Sequence, residues 1–483
     1  MNQQHRNFVL YLSLMGLPAL SQTPGQLQAC INSTATSCTL SAGSWYISAT
    51  VTNPNGIHES LPPWGLQTYY PPITVGSPGS PFTRGNLTID GHGAYVYTDG
   101  TTSNGLIGVN LKTTQCCIPG VKIQNFQLYN PSSFCQQVFN STPAPPLLAI
   151  TQADIGAWPT NPSPFYYTGP YAVEVYNNVF NCGQGGSQKP SAGILVTSNS
   201  TADYSNDIYV HGNFFEWSTV GFYGGDYLPS QCDAYFIGGP FRDNRSVNNP
   251  RNIVINNNSW RDAGQGALTL TSPRWVQVIS NTFTDDQYVH DSGTDQGGAI
   301  FVDQCVDTVY IYSNTMTGPG GTAACNTPSY CLSKTQGIEA YGRNVTVSTN
   351  TIANYYYEGV SASNIYYATI DHNTMHDNGW SAYVPYGPVH IWDNLNGARG
   401  GRQGTLYYVQ YNKIGNASQR PVTYGITLNG PTPTPTNITI VGNTSYGSYG
   451  QKGPQCYQLP WTLSNGVPVG VVSDDQSGWP LCQ

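Results

Sequence analysis

Charged residues are scarce in this chain of 483 residues: Asp, Glu, Lys and Arg together make up 9%. The 17 Lys and Arg are scattered singly, so the chain has no basic stripe that could neutralise the phosphates of a nucleic acid. Disordered chains combine low hydrophobicity with high net charge, whereas this chain has 39% hydrophobic residues and a formal charge of −8. The composition therefore predicts a folded protein without a nucleic-acid partner.

Hydrophobic runs long enough to cross a membrane are also missing. The apolar run FVLYLSLMGLPAL, from Phe8 to Leu20, is shorter than the ~20 residues that a spanning helix needs. It follows Arg6 and ends at Ala19-Leu20-Ser21, which is the pattern of a secretory signal peptide over residues 1–21. The sequence therefore predicts a secreted, extracellular protein with no membrane partner.

Cysteine is plentiful, and its number supports the same compartment. The chain has 12 Cys, an even number, as expected of a protein that forms disulfides in an oxidising environment. Three pairs lie close enough in sequence for local bridges, although spacing alone leaves the connectivity open: Cys30/Cys38, Cys325/Cys331 and Cys456/Cys482. Asn-x-Ser/Thr sites such as Asn86 and Asn443 add the expectation of a glycoprotein.

A short motif recurs along the chain, with Val or Ile three residues before an Asn and usually Phe, Trp, Met or Ile two residues after it. The recurring Asn are 178, 213, 258, 281, 314, 350, 373, 412 and 443. Successive gaps are 35, 45, 23, 33, 36, 23, 39 and 31 residues, as expected of a fixed unit that carries loops of variable length. Helical periodicity is absent and apolar residues alternate, which favours strands.

The shortest repeat holds about three short strands and their bends. Coils of this kind, stacked about 4.8 Å apart, pair each strand with its counterpart in the next coil and bury one continuous core. The recurring Asn are predicted to form a ladder of side-chain hydrogen bonds at one bend. Earlier coils keep the spacing with His92 and Phe126 at the ladder position. This pattern resembles the pectin-lyase-like superfamily of right-handed parallel β-helix proteins.

The predicted fold class is therefore all-β, a single-stranded right-handed parallel β-helix of roughly 11 coils. We expect residues 86–450 to form the helix, residues 22–85 to cap its N-terminal end and residues 451–483 to cover the other end.

The stretch YATIDHNTMHDNGW, residues 367–380, has two interpretations. As part of the repeat, Asn373 is a ladder residue, Ile370 and Met375 fill the core, and the charged side chains face water. Alternatively, Ile370-Asp371-His372 resembles part of the WIDH motif of pectate lyases, which implies that Asp371 helps to bind calcium. Apart from this hint, we expect no cofactor and no metal.

In each unit the strand after the ladder Asn and its loop usually begins with Gly, as in GAIFVDQ, GIEAYGR and GVSASN. In the superfamily that the chain resembles, the strand so placed commonly forms the floor of the substrate cleft. Alternation then predicts two outward rows of side chains. The first row is Thr269, Phe301, Glu339, Ser361, His390 and Thr427, and the second is Thr271, Asp303, Tyr341, Ser363, Trp392 and Asn429.

Two chemistries fit this patch. Asp303 and Glu339 lie diagonally on adjacent coils, about 8 Å apart at Cα, so their carboxyl groups fall in the ~5–9.5 Å range of glycosidase pairs. The expected function is then a glycoside hydrolase of a polysaccharide, with His390 as a further catalytic residue and Phe301, Tyr341 and Trp392 stacking on sugar faces. Carboxylates on flanking loops are substitutes for the pair: Asp291, Asp295, Glu358 and Asp393.

The alternative chemistry uses Tyr341, Arg343 and His390. A polysaccharide lyase or C5-epimerase must neutralise the carboxylate of a uronate and remove the neighbouring proton, which suits Arg, Tyr and His. A third possibility is a non-catalytic cell-wall or adhesion protein, since the fold alone does not determine function. In the enzyme interpretations the partner is a polysaccharide substrate and the protein is expected to be a monomer, with Arg343 binding the substrate.

Overall fold

The computed structural model describes most of the strands and the bends between them. The described residues are 23–47, 57–61, 65–69, 71–77, 80–98, 105–113, 118–130, 146–154, 170–182, 191–198, 205–224, 249–263, 266–284, 298–303, 305–319, 335–379, 387–392, 406–416, 425–429, 437–447, 457–458, 463–464, 467–468, 471–474 and 481–482. The predicted signal peptide lies outside them. Among them no helix is long and apolar enough to cross a membrane.

Three long parallel sheets run along the molecule, and each coil of the chain contributes one strand to each sheet in turn. The first sheet contains β1 (Ser37–Thr39), β6 (Leu87–Asp90), β9 (Val121–Gln124), β12 (Val173–Tyr176), β15 (Asn206–His211), β18 (Arg251–Asn256), β21 (Arg274–Ile279), β24 (Asp307–Tyr312), β27 (Asn344–Ser348), β30 (Tyr367–Asp371), β33 (Leu406–Gln410), β36 (Asn437–Val441) and β41 (Val471–Asp474).

The second sheet follows the first across a tight bend. It contains β2 (Ser44–Ile47), β7 (Tyr95–Thr98), β10 (Gln127–Tyr129), β13 (Val179–Asn181), β16 (Phe214–Glu216), β19 (Ser259–Arg261), β22 (Thr282–Thr284), β25 (Thr315–Thr317), β28 (Thr351–Ala353), β31 (Thr374–His376), β34 (Lys413–Asn416) and β37 (Thr444–Gly447). Its strands mark 12 coils among the described residues, close to the predicted number.

The third sheet completes each coil. It contains β5 (Ile73–Val75), β8 (Ile107–Lys112), β11 (Leu148–Asp154), β14 (Ser191–Ser198), β17 (Ser218–Gly224), β20 (Leu268–Leu270), β23 (Ile300–Val302), β26 (Gln336–Ala340), β29 (Glu358–Ser363), β32 (Val389–Trp392), β35 (Ile426–Asn429), β38 (Tyr457–Gln458) and β42 (Leu481–Cys482). Two antiparallel pairs lie outside the three sheets: β3 (Ile57–Leu61) with β4 (Gly65–Tyr69), and β39 (Leu463–Ser464) with β40 (Val467–Pro468). The predicted architecture, a parallel β-helix, is confirmed.

The core follows from alternation within each strand. In β30, Ala368 and Ile370 are buried and the residues beside them face outward. An apolar residue lies two positions after eight of the nine ladder Asn, and all eight are buried. In the middle coils these residues stack: Phe180, Phe215, Trp260 and Phe283 have neighbouring ring centroids 4.7–5.0 Å apart. Because each coil places its core side chain over the equivalent side chain of the coil before it, the core is continuous along the helix axis.

The asparagine ladder runs through all nine predicted positions. At each step the Oδ1 atom of one Asn accepts hydrogen bonds from the backbone N–H and the Nδ2 of the Asn one coil earlier, as between Asn373 and Asn350 at 3.0 Å. The Nδ2 of each Asn also donates to the carbonyl of the Val or Ile that precedes the earlier ladder residue by three positions, as from Asn373 to Val347. The motif spacing is therefore explained by the bend geometry.

The ladder prediction was right for Phe126 and wrong for His92. The backbone N–H of Phe126 donates to Oδ1 of Asn178, but His92 is exposed in a turn. The bend from β6 to β7 is two residues longer than the bend from β9 to β10, and this insertion moves Ala94 into the equivalent place. Spacing from the preceding strand alone could not detect the insertion.

The described part of the chain begins with α1 (Pro24–Asn32), whose N-terminus has a capping box between Thr23 and Gln26. Leu27 and Ile31 of α1 are buried in the core, and Gln28 bonds both backbone groups of Thr74 on β5. The first coil, β1, β2 and β5, thus begins before the boundary that the sequence placed at residue 86.

Strands of the C-terminal tail pair with the last coils: β38 with β35, and β41 with β36. The assignment of the N-terminal and tail segments as caps of the two ends stays a prediction.

The predicted local disulfide between Cys30 and Cys38 is present. Cys182 and Cys305 each take part in a disulfide as well. The other two predicted pairs involve side chains outside the described residues. Asn443 is a buried ladder residue, so its acceptor motif belongs to the repeat.

Candidate functional site

The outer face of the third sheet carries the predicted floor. Phe301 pairs with Glu339 and Glu339 with Ser361, and the row continues to His390 and Thr427 in register. In the second row Ser363 pairs with Trp392, and backbone bonds place Asp303 and Tyr341 beside Leu270 and Val302 as alternation requires. The structure thus brings the predicted residues onto one face.

Glycine at the start of the floor strands permits a close approach of successive coils. A Cβ atom on Gly337 would lie 2.4 Å from the carbonyl oxygen of Gly359, and one on Gly298 would lie 2.6 Å from that of Gly337. Real Cβ atoms do not come so near a backbone oxygen, so these positions exclude a side chain. The recurrent Gly therefore sets the distance between the floor strands at the point where the site residues begin.

Glu358 and His390 form a buried pair at the centre of the floor. Oε1 of Glu358 lies 2.6 Å from Nδ1 of His390, and the two side chains are 1% and 3% exposed. The sequence assigned Glu358 to a flanking loop, and this was wrong: Glu358 is the first residue of β29 and the register partner of Gln336 on β26. Its carboxylate also accepts a hydrogen bond from the Gln336 amide.

Glu339 and Tyr341 form a second pair, on the neighbouring strand. The Tyr341 hydroxyl donates to Oε1 of Glu339 at 2.7 Å, and both side chains are buried. Glu339 lies on β26 and Tyr341 directly follows the last residue of that strand. Because the two residues are two positions apart, both side chains point outward from the sheet. A carboxylate and a phenol thus lie one coil from Glu358 and two coils from His390.

Aromatic side chains connect the two pairs. The Tyr341 ring lies edge-on to Phe301 and to Trp392, each 6.2 Å away between centroids. Trp392 stacks on His390 at the same distance and donates its indole N–H to Ser361. Trp392 is half-buried, whereas most of the row beside it is buried, so its ring marks a side on which the floor is open.

Asp303 lies in the second row one coil before Tyr341 and is half-buried. The negative charge of the Asp303 carboxylate acts on Tyr223, a buried phenol whose hydroxyl is hydrogen-bonded to Thr269. Burial raises the pKa of Tyr223 well above its usual range, and the Asp303 carboxylate raises it further. Tyr223 therefore stays protonated and extends the floor towards the N-terminal coils.

Arg343 lies in the turn after β26, and its guanidinium carbon is 5.7 Å from the centroid of the Tyr366 ring. This contact is at the bend towards the first sheet, at the edge of the floor. Its predicted role in substrate binding stays a prediction, as do the catalytic roles of Asp303, Glu339 and His390 and the sugar contacts of Phe301, Tyr341 and Trp392. Asp291, Asp295 and Asp393 lie outside the described residues.

The stretch 367–380 is confirmed as part of the repeat over its described residues, 367–379. The expectation that its charged side chains face water is wrong for Asp377, which is 3% exposed and lies 2.9 Å from Nδ1 of His376. Asn373, Ile370 and Met375 are buried, and His372 is an exposed bend residue with φ of +52°. Nδ1 of His372 lies 3.1 Å from the Asp371 carboxylate, on the first sheet and away from the floor. Within the described ranges no group of three or more His, Cys, Asp or Glu could hold a metal ion. The calcium hint at Asp371 stays a prediction.

Two site residues escaped the sequence reasoning: Gln336 and Tyr223. The alternation that selected Glu339 also points to Tyr223, since Phe222 is register partner of Leu270 and Tyr223 is the next residue. Gln336 and its partner Glu358 are each the first residue of a strand and each directly precede a Gly, Gly337 and Gly359. This shared position is the one sequence signal that relates them.

No protein-family model matches this chain. No curated protein matches it either. Similar solved structures include the A-module of the mannuronan C-5 epimerase AlgE6 from Azotobacter vinelandii, with a TM-score of 0.45 and 12% identity, covering 93% of this chain and 95% of that one. The enzymatically active domain of tailspike protein 2 from bacteriophage CBA120 has a TM-score of 0.33 and 10% identity, covering 87% of this chain and 40% of that one.

A mannuronic acid specific polysaccharide family 6 lyase from human gut microbiota has a TM-score of 0.33 and 11% identity, with 85% of each chain covered. Similarity at this level concerns the fold and leaves the activity of this chain open.

Proposed function

We propose that this chain is a secreted, monomeric enzyme that acts on a polysaccharide, and that it removes the C5 proton of a uronate residue as a lyase or C5-epimerase does. The observation that carries the proposal is the pairing on the floor: an imidazole and a phenol lie on nearby coils, and each is hydrogen-bonded to its own carboxylate. Two such groups are what proton removal and proton delivery at carbon require.

The same pairing makes glycoside hydrolysis the weaker proposal. A hydrolase needs two carboxyl groups that face one glycosidic bond, one as acid and one as base or nucleophile. On this floor Glu358 accepts hydrogen bonds from His390 and Gln336, and Glu339 accepts one from Tyr341. Both carboxylates therefore orient other side chains.

In the proposed reaction His390 is the base. With Nδ1 directed at Glu358, its other ring nitrogen, Nε2, lies on the opposite edge of the ring and takes the C5 proton. The imidazolium that forms is stabilised by the Glu358 carboxylate at 2.6 Å, since opposite charges attract strongly at a buried site. Glu358 thus stabilises positive charge at the moment when it develops.

Tyr341 is the proton donor. For elimination its hydroxyl protonates the departing glycosidic oxygen, and for epimerisation it protonates C5 from the opposite face. Glu339, which accepts the hydroxyl hydrogen bond at 2.7 Å, holds the phenol in place. After the reaction the phenolate takes a proton from water and the His390 imidazolium releases one to water, which restores both groups. Which of the two reactions occurs depends on whether the proton goes to oxygen or to carbon.

The sugar ring lies against Trp392, whose indole plane is fixed by its bond to Ser361. The uronate carboxylate must be neutralised for the C5 proton to become acidic, and Arg343, two residues after Tyr341, is the cation we assign to it.

A panel of uronate and neutral polysaccharides tests the proposal, read by reducing ends, by ultraviolet absorbance of an unsaturated product and by the proton spectrum of the sugar. We expect absorbance or inversion at C5 on at least one uronate polymer, and its loss in His390→Gln. New reducing ends without absorbance on any polymer would instead assign the hydrolase. No change on any polymer would favour the non-catalytic wall protein.

A further inference from the structure

The amide of Gln336 contacts a carboxylate of the floor. Its Nε2 donates to Oε2 of Glu358, while Nδ1 of His390 lies on Oε1 of the same group. The three residues come from successive strands β26, β29 and β32, and Gln336 and Glu358 are register partners. Each oxygen of the carboxylate therefore has one donor, from opposite sides along the helix axis.

Glu358 is 1% exposed, so its carboxylate relies on these donors for hydrogen bonds. A buried carboxylate with one donor can rotate and present either oxygen to it, whereas a carboxylate with a donor on each oxygen is held in one orientation. Because Gln336 is neutral, it fixes the carboxylate without competing for its charge. A Lys or Arg in its place would form an ion pair with Glu358 and weaken the attraction for His390.

The close glycine contacts hold this arrangement at a short spacing. Gly337 and Gly359, which directly follow Gln336 and Glu358, allow the two strands to approach without side chains between them. Other ionisable groups on the same strands are Glu339 and Tyr341, and these are bonded to each other. The Gln336–Glu358–His390 chain of hydrogen bonds lies beside them.

We propose that Gln336 is a positioning residue, which acts through Glu358 to hold neutral His390 as the tautomer protonated on Nδ1. This inference rests on the proposed function for its purpose, because only that tautomer leaves Nε2 able to accept a proton from substrate. The tautomer itself is a property of the protein alone.

The test is nitrogen-15 NMR of histidine-labelled protein without substrate, with the His390 signals identified by their absence in His390→Gln. In the wild type at a pH where the ring is neutral, Nδ1 should carry the proton. In Gln336→Met, which keeps the length of the side chain and removes the donor, the population should shift towards the Nε2-protonated form. Gln410→Met is the matched control, since Gln410 is half-buried on β33 of the first sheet, and it should leave the His390 signals unchanged.

Gln336→Glu provides a second variant that keeps the shape and replaces the donor with an acceptor, and it should shift the tautomer in the same direction. Turnover in either variant should fall about tenfold or more, which is the scale typical of residues that act by orienting another functional residue. Wild-type tautomer signals in both variants would overturn the proposal. A shifted tautomer in a protein that changes no polysaccharide would support the role of Gln336 and refute the proposed function.

Discussion

Replacing Asn373 with Ala removes one step of the ladder, and the structure defines what is lost. The Asn373 Oδ1 accepts from the backbone N–H and the Nδ2 of Asn350, and its Nδ2 donates to the Val347 carbonyl and to Oδ1 of Asn412. All four bonds are buried. Asn412 keeps the backbone N–H of residue 373 as a donor, so the main loss falls on the N–H of Asn350 and the carbonyl of Val347.

A buried polar group that loses its partner costs about 1–3 kcal/mol. Two such groups give about 2–6 kcal/mol, and relaxation of the bend or entry of water moves the result towards the lower end. We therefore expect Asn373→Ala to lower the free energy of unfolding by about 3 kcal/mol, which is large for a single substitution.

Chemical or thermal unfolding measures this loss, with Thr369→Ala as the control, since Thr369 is half-buried on the outer face of the same coil. The control should change stability by less than about 0.5 kcal/mol. Activity per folded molecule should be unchanged in Asn373→Ala, because the ladder bend joins the first and second sheets and the floor is on the third. Equal stability of the two variants would refute the structural role of the ladder.

Three further substitutions probe other parts of the molecule. Hydrogen bonds from His211 and Lys122 lower the pKa of Glu174, so its contribution of about 1 kcal/mol to stability is present above pH 4.5 and is lost as pH falls through the lowered pKa. Glu174→Gln should therefore lower the melting temperature at neutral pH and leave it unchanged in acid. A decrease of the same size at every pH would contradict this. Tyr341→Phe should retain the fold and lose about a hundredfold in turnover, and full activity would exclude Tyr341 as the proton donor. Gly337→Ala should lower the free energy of unfolding by about 1–3 kcal/mol, because the added Cβ would lie 2.4 Å from the Gly359 carbonyl oxygen, and it should also reduce turnover. An unaltered melting curve would disprove the expected loss of stability.

The ladder and the floor register were predictable because they repeat. Each coil places the same kind of residue at the same bend, so Asn373 could be identified from its eight counterparts, and alternation from Ile338 fixed the outward direction of Glu339. The pairing of Glu339 with Ser361 and His390 then followed from stacking the coils. Periodicity carries this information without any knowledge of tertiary contacts.

The site chemistry was less predictable because it depends on which side chains meet across coils. Glu358 was assigned to a loop since its strand begins one residue before the Gly taken as the strand start. Its bond to His390, 32 residues away in sequence, depends on rotamers that no repeat pattern specifies. His92 was misplaced for a related reason, since a two-residue insertion in one bend leaves the strand pattern intact.

The most direct measurement of the proposed proton removal is the release of label from a uronate polysaccharide that carries tritium at C5. A lyase and an epimerase both remove this hydrogen, whereas a hydrolase leaves it in place. We expect the wild-type protein to release tritium into water and His390→Gln, at equal folded concentration, to release none. Cleavage of the polymer with all tritium retained at C5 would contradict the assignment of His390 as a base acting on carbon.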